Sequence, residues 1–371
     1  NFFLFGIHFF ILFKNYRIMK AFCFKHTLNF HNPSGTSRGV LNQKVSWFIV
    51  IFSGNKTGIG ECSLIKGLSP DPDTGYELTL RRVCENISDG FTVLSYKLDS
   101  YPSILFGLET AFRSFESSNS QLLFKSDFTN NKASIPINGL IWMGQKSFMI
   151  SQIKEKIDSG FDCVKIKIGS LDFKTELELI KNIRKEYSSK DIEIRVDANC
   201  AFAFSGALEK LKKLSEFSLH SIEQPIKTRH WENMSFLCEN SPLAIALDEE
   251  LIGLQDGDKE RMIKNVQPKY IILKPSLLGG IEKCEDWIEI ANKNKIKWWA
   301  TSALESNIGL NAIAQWVYQK DTKMKQGLGT GKLFSNNILS PYIIEKGCLK
   351  YSIENKWDLK IFDQQKQLFL K

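Results

Sequence analysis

The sequence has no apolar stretch of bilayer length. Its most hydrophobic segment, NFFLFGIHFFILFK at residues 1–14, falls well short of the roughly 20 residues that span a membrane. No basic segment precedes it and no A-x-A site follows, so an export or anchor segment is the lesser of two readings. Regular alternation begins just after Met19-Lys20, and residues 1–18 are read as an upstream or disordered segment. No two of the eight cysteines stand at C-x-x-C spacing, which argues against a structural zinc site or a thioredoxin-type pair. Scattered thiols fit a reducing, cytoplasmic setting. Charge of one sign is not concentrated either. Lys plus Arg number 49 against 41 Asp plus Glu, a net +8 spread along the chain. With no helix-turn-helix, zinc-finger or aromatic RNA-binding pattern, no nucleic-acid partner is expected, and no membrane partner.

The 371 residues are 43% hydrophobic and 24% charged, the ordinary globular range. That length suits two folding units, one of them an α/β barrel of about 250 residues. Residues 19–130 read as α+β. Phe22, Phe24, Leu28 and Phe30 alternate partially, VSWFIVIF at 45–52 is a strand, and Gly54-Asn55 turns it into a hairpin. Helical patterns cover 76–87 and 103–117, and polar residues 126–133 form a linker.

From residue 134 short apolar runs alternate with amphipathic helical segments such as 173–187 and 281–292. The runs fall at 135–140, 163–168, 192–196, 219–222, 243–247, 270–273, 297–300 and 326–328. Repeated strand–helix units predict a parallel sheet, and this count predicts a closed barrel. It spans 131–330, and residues 331–371 return to the N-terminal domain.

The ends of these runs hold the informative residues. In Val164-Lys165-Ile166-Lys167-Ile168, alternation puts both lysines on one face. With the β-branched residues toward the helices, Lys165 and Lys167 point into the barrel. Asp197 and Asn199, Glu223, Asp248 and Lys274 end the next four runs. They recur at intervals of about 25–30 residues, one βα unit each, and so share the carboxyl rim where barrel enzymes work. Three converging carboxylates repel unless a cation joins them, and an all-oxygen set favours Mg²⁺ over zinc. Lysine is a poor base at its usual pKa, and the Lys165 ammonium is expected to lower that of Lys167. A metal on a substrate carboxylate would stabilise the ene-diolate left by α-proton loss. The chemistry read from the residues is therefore proton abstraction beside a carboxylate, with a small carboxylate as substrate. Assembly state is not encoded in these motifs.

The set Lys165-x-Lys167, Asp197-x-Asn199, Glu223, Asp248 and Lys274 resembles the enolase superfamily, in its muconate-lactonizing-like branch. Further motifs resemble the o-succinylbenzoate synthase family within it. They are Pro33-Ser34-Gly35-Thr36-Ser37-Arg38-Gly39, Gly58-Ile59-Gly60-Glu61-Cys62-Ser63, Ile272-Leu273-Lys274-Pro275-Ser276-Leu277, Thr301-Ser302-Ala303-Leu304-Glu305-Ser306 and Gly327-Leu328-Gly329-Thr330-Gly331. The resemblance implies a (β/α)7β TIM-like barrel, its last helix missing, under an α+β capping domain completed by C-terminal residues. It implies Lys167 as base and then acid on one substrate face, with Lys274 as a cation on the other. Asp197, Glu223 and Asp248 would bind Mg²⁺, with Mn²⁺ as a substitute. Thr36, Ser37 and Arg38 of a capping loop, with Asn199, Ser302 and Glu305, would bind substrate. The implied reaction is a dehydration in menaquinone biosynthesis. Dipeptide epimerases and N-succinylamino acid racemases of the same superfamily are the alternative.

Overall fold

The computed structural model describes residues 19–36, 39–320 and 322–371; the segment 1–18 and residues Ser37 and Arg38 lie outside it. Strands β1 (Lys20–Thr36), β2 (Gly39–Ser53) and β3 (Lys56–Ser63) form an antiparallel sheet, with Lys20 opposite Phe52 and Ser46 opposite Ser63. Helices α1 (Tyr76–Glu85), α2 (Phe91–Ser95) and α3 (Pro102–Glu116) follow. The continuous apolar run in β2 is explained by cover on both faces. Ile49 and Ile51 pack with Leu80, Val83, Leu108 and Phe112 of the helices. Phe48, Val50 and Phe52 pack with Phe362 on the other side. Gly60 lets β3 lie directly on α3: a Cβ there would fall 1.9 Å from the Gly107 carbonyl oxygen.

Strand β4 (Ser134–Pro136) precedes β5 (Gly139–Ile141). Then come α4 (Lys146–Asp158), β6 (Cys163–Lys167), α5 (Phe173–Glu186), β7 (Glu193–Asp197), α6 (Phe204–Ser215), β8 (Ser221–Glu223), α7 (Trp231–Asn240), β9 (Ile245–Leu247) and α8 (Asp256–Val266). They are followed by β10 (Tyr270–Leu273), the one-turn α9 (Pro275–Leu278), α10 (Ile281–Lys293), β11 (Lys297–Ala300) and α11 (Asn307–Tyr318). Strands β5 to β11 form one parallel sheet in sequence order. It is closed by two single bridges, Ile137 with Gln326 and Thr301 with Gly327. The eighth run is thus a seam of isolated bridges, and a 3₁₀ turn at Gly329–Lys332 follows it. The chain thus forms a TIM-like barrel under an N-terminal cap.

Two placements differ from the sequence reading. The run at 135–140 is broken: β4 leaves the barrel and pairs with β13 (Cys348–Tyr351), itself paired with β12 (Tyr342–Glu345). The C-terminal residues therefore divide. Leu349 and Tyr351 join the barrel core, while α12 (Lys360–Leu370) brings Phe362 within 5.0 Å of Phe48 and 5.7 Å of Phe24 in the cap, ring to ring. The polar stretch 126–133 also hides one anchor, the fully buried Phe128, stacked on Tyr318 and Tyr342. Among the described residues no helix is long and apolar enough to cross a membrane.

Candidate active site

Parallel pairing aligns the strand ends. Lys167 stands opposite Asp197 and Asp197 opposite Glu223. Val164 and Ile166 are fully buried in the core, so the alternate residues Lys165 and Lys167 turn inward, as the pattern predicts. Lys165 Nζ donates to Asp197 Oδ2 at 2.9 Å and to Glu223 Oε2 at 2.8 Å. Lys167 Nζ donates to the same Asp197 oxygen at 3.1 Å and to Asn199 Oδ1 at 2.7 Å. Lys274 Nζ donates to Asp248 Oδ2. The three carboxylates and three lysines thus meet at one rim.

Burial opposes charge on Lys165, Lys274, Asp197 and Glu223, so their titration depends on neighbours. It disfavours the Lys165 ammonium, yet Asp197, Glu223 and Asp248 outweigh it and raise its pKa. Lys274 is raised likewise, against burial, by Asp248 and Glu223. Asp197, though fully buried, is held far below the usual carboxylate range by Lys165, Lys167 and Lys274. Burial and the Asp197 charge push Glu223 up to about 8.

The backbone at this rim is held in unusual conformations. Asn199, Gln224 and Leu304, just past β7, β8 and β11, have φ of 42°, 37° and 61°. Non-glycine residues seldom adopt that region, and it concentrates at functional sites. The turns are locked by side chains. Gln224 Oε1 accepts from Asp248 N at 3.3 Å and Glu250 N at 3.2 Å. Asn199 Nδ2 donates to Glu249 Oε1 at 3.0 Å.

As arranged, the carboxylates face ammonium groups, and among the described residues no three His, Cys, Asp or Glu side chains stand in a metal-holding group. The donor chemistry nonetheless suits a hard cation. Asp197, Glu223 and Asp248 offer only oxygen, and Asp248 Oδ1 is buried without a hydrogen-bond partner.

A cavity of about 570 Å³ opens over the rim. Lys165, Lys167, Asn199, Lys274 and Ser302 lie on its floor, and Val40, Leu41 and Ile65 to Leu68 of the cap close it from above. Ser302 lines it, with its Oγ bonded to Glu305 and to Thr330 Oγ1 at 2.9 Å. The cap of α11 is Ser306, whose side chain accepts from Ile308 N, rather than Ser302. Glu305 is not on the wall. It is fully buried behind it, bonded to Ser276 and Ser302, so its expected contact with substrate is replaced by a bracing one. Thr36 ends β1, while Ser37 and Arg38 fall outside the described residues. Sequence reading missed Lys66, Trp142 and Glu249, all on the wall. Glu249 adjoins Asp248 and Lys66 follows the Gly58–Ser63 motif, so proximity was the available signal.

The family model described as Enolase C-terminal domain-like matches residues 149–350. The o-succinylbenzoate synthase of Desulfotalea psychrophila is 46% identical over 356 residues, 88% of this chain and 97% of that protein. An L-amino acid-D/L-Glu epimerase of Sulfurimonas denitrificans is 26% identical over 263 residues, 68% of this chain and 75% of its own length. Among solved structures, MenC from D. psychrophila superposes with a TM-score of 0.80 at 41% identity, covering 90% of this chain and 99% of that one. The dipeptide epimerase of Cytophaga hutchinsonii, complexed with Mg and a dipeptide, gives 0.79 at 18% identity, covering 94% and 98%. That last likeness concerns the fold alone.

Proposed function

This chain belongs to the enolase superfamily, and within it to the o-succinylbenzoate synthase family of lyases, and we propose that it dehydrates 2-succinyl-6-hydroxy-2,4-cyclohexadiene-1-carboxylate to o-succinylbenzoate in menaquinone biosynthesis. Likeness to the D. psychrophila synthase over nearly the whole chain carries the reading. The opposed lysines on the cavity floor support it. We take residues 19–130 as the cap, completed by α12, and 131–330 as the barrel. The eight free thiols support a cytoplasmic setting.

Asp197, Glu223 and Asp248 would hold Mg²⁺ or Mn²⁺, which supplies positive charge against the substrate carboxylate and so favours loss of the neighbouring proton. Lys167 Nζ takes that proton from the ring carbon beside the carboxylate. The C–H electron pair enters the ring, and the C–O bond to the hydroxyl breaks. The same nitrogen returns the proton to the departing hydroxyl, which leaves as water from the ring face that lost the proton. Lys274 keeps its ammonium on the opposite face, where it stabilises the electron-rich ring by charge and cation–π contact. Lys165, bonded to Asp197 and Glu223, orients both carboxylates. The product is aromatic, so the reaction runs downhill once the proton is gone.

The test is loss of diene absorbance with purified protein, Mg²⁺ and the cyclohexadiene acid. Conversion should stop with EDTA, and K167A should lose about 10²–10⁴-fold in kcat, the range of general-base catalysis. No conversion by folded protein with metal would overturn the reading and direct the search to α-proton exchange of dipeptides and N-succinyl amino acids in D₂O.

A further inference from the structure

The hairpin motif Gly58–Ser63 has a feature that the reaction does not use directly. Glu61, on β3 of the cap, is fully buried, yet its carboxylate is spent on the barrel. Ser306 N donates to Oε1 at 2.9 Å, while Ser306 Oγ and Gly309 N donate to Oε2 at 2.6 and 3.0 Å. The backbone groups among these are first-turn donors of α11, which find no partner within a helix. The positive end of the helix favours an anion there. On the cap side, Ser46 Oγ donates to Glu61 Oε1 at 2.6 Å. Lys44, almost wholly buried, donates to Ser46 Oγ at 2.8 Å and lies 3.8 Å from the carboxylate. A Cβ at Gly309 would come within 2.7 Å of the Glu305 side chain and 3.0 Å of Glu61 Oε2. The helix end therefore accepts both acids only because that residue is glycine.

Three segments of the cavity wall meet at this carboxylate. β2 carries Val40 and Leu41 together with Lys44 and Ser46. β3 runs on into the wall at Ile65, and its Ser63 Oγ donates to the Ala303 carbonyl at 3.3 Å. The barrel loop before α11 carries Thr301 to Leu304. That loop also reaches the turn after the opposite lysine, since Glu305 bonds Ser302 and Ser276. Ser276 lies in α9, whose capping residue is Lys274.

We propose that Glu61 is a positioning residue of the reaction. It holds the first turn of α11 from the cap, and so sets Ser302 and, through Glu305 and Ser276, the turn bearing Lys274. The inference rests on the dehydratase reading and adds the device that aligns the cap with the lysine floor. A second cap glutamate provides an internal control. Glu109 Oε2 accepts from Ile281 N at 2.6 Å, at the start of α10, but neither Glu109 nor that first turn is among the described residues lining the cavity. Glu109 docks the cap without touching the wall.

The experiment compares wild type, E61Q, S306A, the E61Q/S306A double variant and E109Q in steady-state dehydration and thermal unfolding. E61Q should lower kcat at least tenfold while KM moves less than threefold. S306A should lower kcat by a smaller factor, and the double variant should lose no more than E61Q alone. E109Q should lower Tm with kcat within twofold of wild type. The proposal is overturned if E61Q lowers only Tm, if it raises KM alone, or if its loss multiplies with that of S306A. Should E61Q fail to fold, S306A against E109Q decides by the same kcat criterion. A wild-type protein that does not dehydrate the diene acid refutes the functional reading separately. The same variants are then compared in α-proton exchange of N-succinyl amino acids, with the same criteria.

Discussion

At the scale of single residues, the cavity lining separates side chains that reach the cavity from those that brace them. Glu305 and Ser302 are three positions apart in one loop, yet only Ser302 faces the cavity. Glu305 spends both oxygens on hydroxyl donors, which fixes the loop without reaching the ligand. Lys66 is the opposite case. It lines the cavity on the cap side and is solvent-exposed, whereas Lys165, Lys167 and Lys274 are each bonded at the floor. A substrate with two carboxylates needs a second cation away from the metal ligands, and Lys66 is placed to supply it. K66M is expected to raise KM about tenfold, equivalent to about 1.4 kcal/mol, with kcat within a few-fold. Because the charge is exposed, added salt should narrow the difference from wild type. Unchanged KM at low salt would remove Lys66 from substrate binding.

At the scale of elements, the cap hairpin shows how sequence spacing becomes contact. Gly58 and Gly60 sit on the face of β3 that lies on α3, where each Cβ would meet helix backbone at 2.4 and 1.9 Å. No rotamer relieves a clash with backbone, so strand and helix must separate. G60A is expected to cost about 1–3 kcal/mol, as overpacked cores do. For a chain of 371 residues that corresponds to a Tm lower by roughly 1–4 °C, read by calorimetry. Since β3 also carries Glu61, kcat should fall with it. A Tm within 0.5 °C of wild type, a threshold of about 0.4 kcal/mol, would refute the close-packing argument.

At the scale of the molecule, a second buried polar cluster lies in the barrel away from the rim. Away from the rim, Arg195 is buried over the Trp299 ring at 4.3 Å and donates to Glu193 at 2.7 Å and to the Lys325 carbonyl at 2.9 Å. Nearby His220 stacks on Tyr270 with ring centres 4.8 Å apart. Burial, with Arg195 and Lys325 adding to it against the pull of Glu193, lowers the His220 pKa to about 4. The unfolded chain takes up that proton near pH 6.5, before the folded chain does. Stability from neutral His220 is therefore complete above pH 6.5 and is lost as pH falls toward 4. The gap in urea-unfolding free energy between wild type and H220Q should shrink through that window, by about 2 kcal/mol after allowance for partial exposure. Asp71 and Glu109, which burial raises to about 6, act in the opposite direction, and they act equally in both proteins. A gap that stays constant from pH 7 to 4 would refute the assignment.

The sequence alone determined the βα rhythm, the inward lysines and the three rim carboxylates. Each follows from local rules: strands alternate faces, and a repeating unit returns to the same rim. The hairpin at Gly54-Asn55 and the helices near residues 76 and 103 were legible for the same reason. What the chain brings together across large separations was not legible. The broken run at 135–140 yields β4 to strands more than 200 residues away, and the eighth strand shrinks to two bridges. Polar-looking 126–133 is pinned by Phe128. Glu305 reads as a pocket residue until the wall in front of it is seen. Glu61 reads as part of a hairpin, because nothing local shows that its partners are the first turn of a helix some 245 positions later. Local periodicity placed the chemistry on the rim, while only tertiary packing decided which polar groups face the ligand and which hold the others in place.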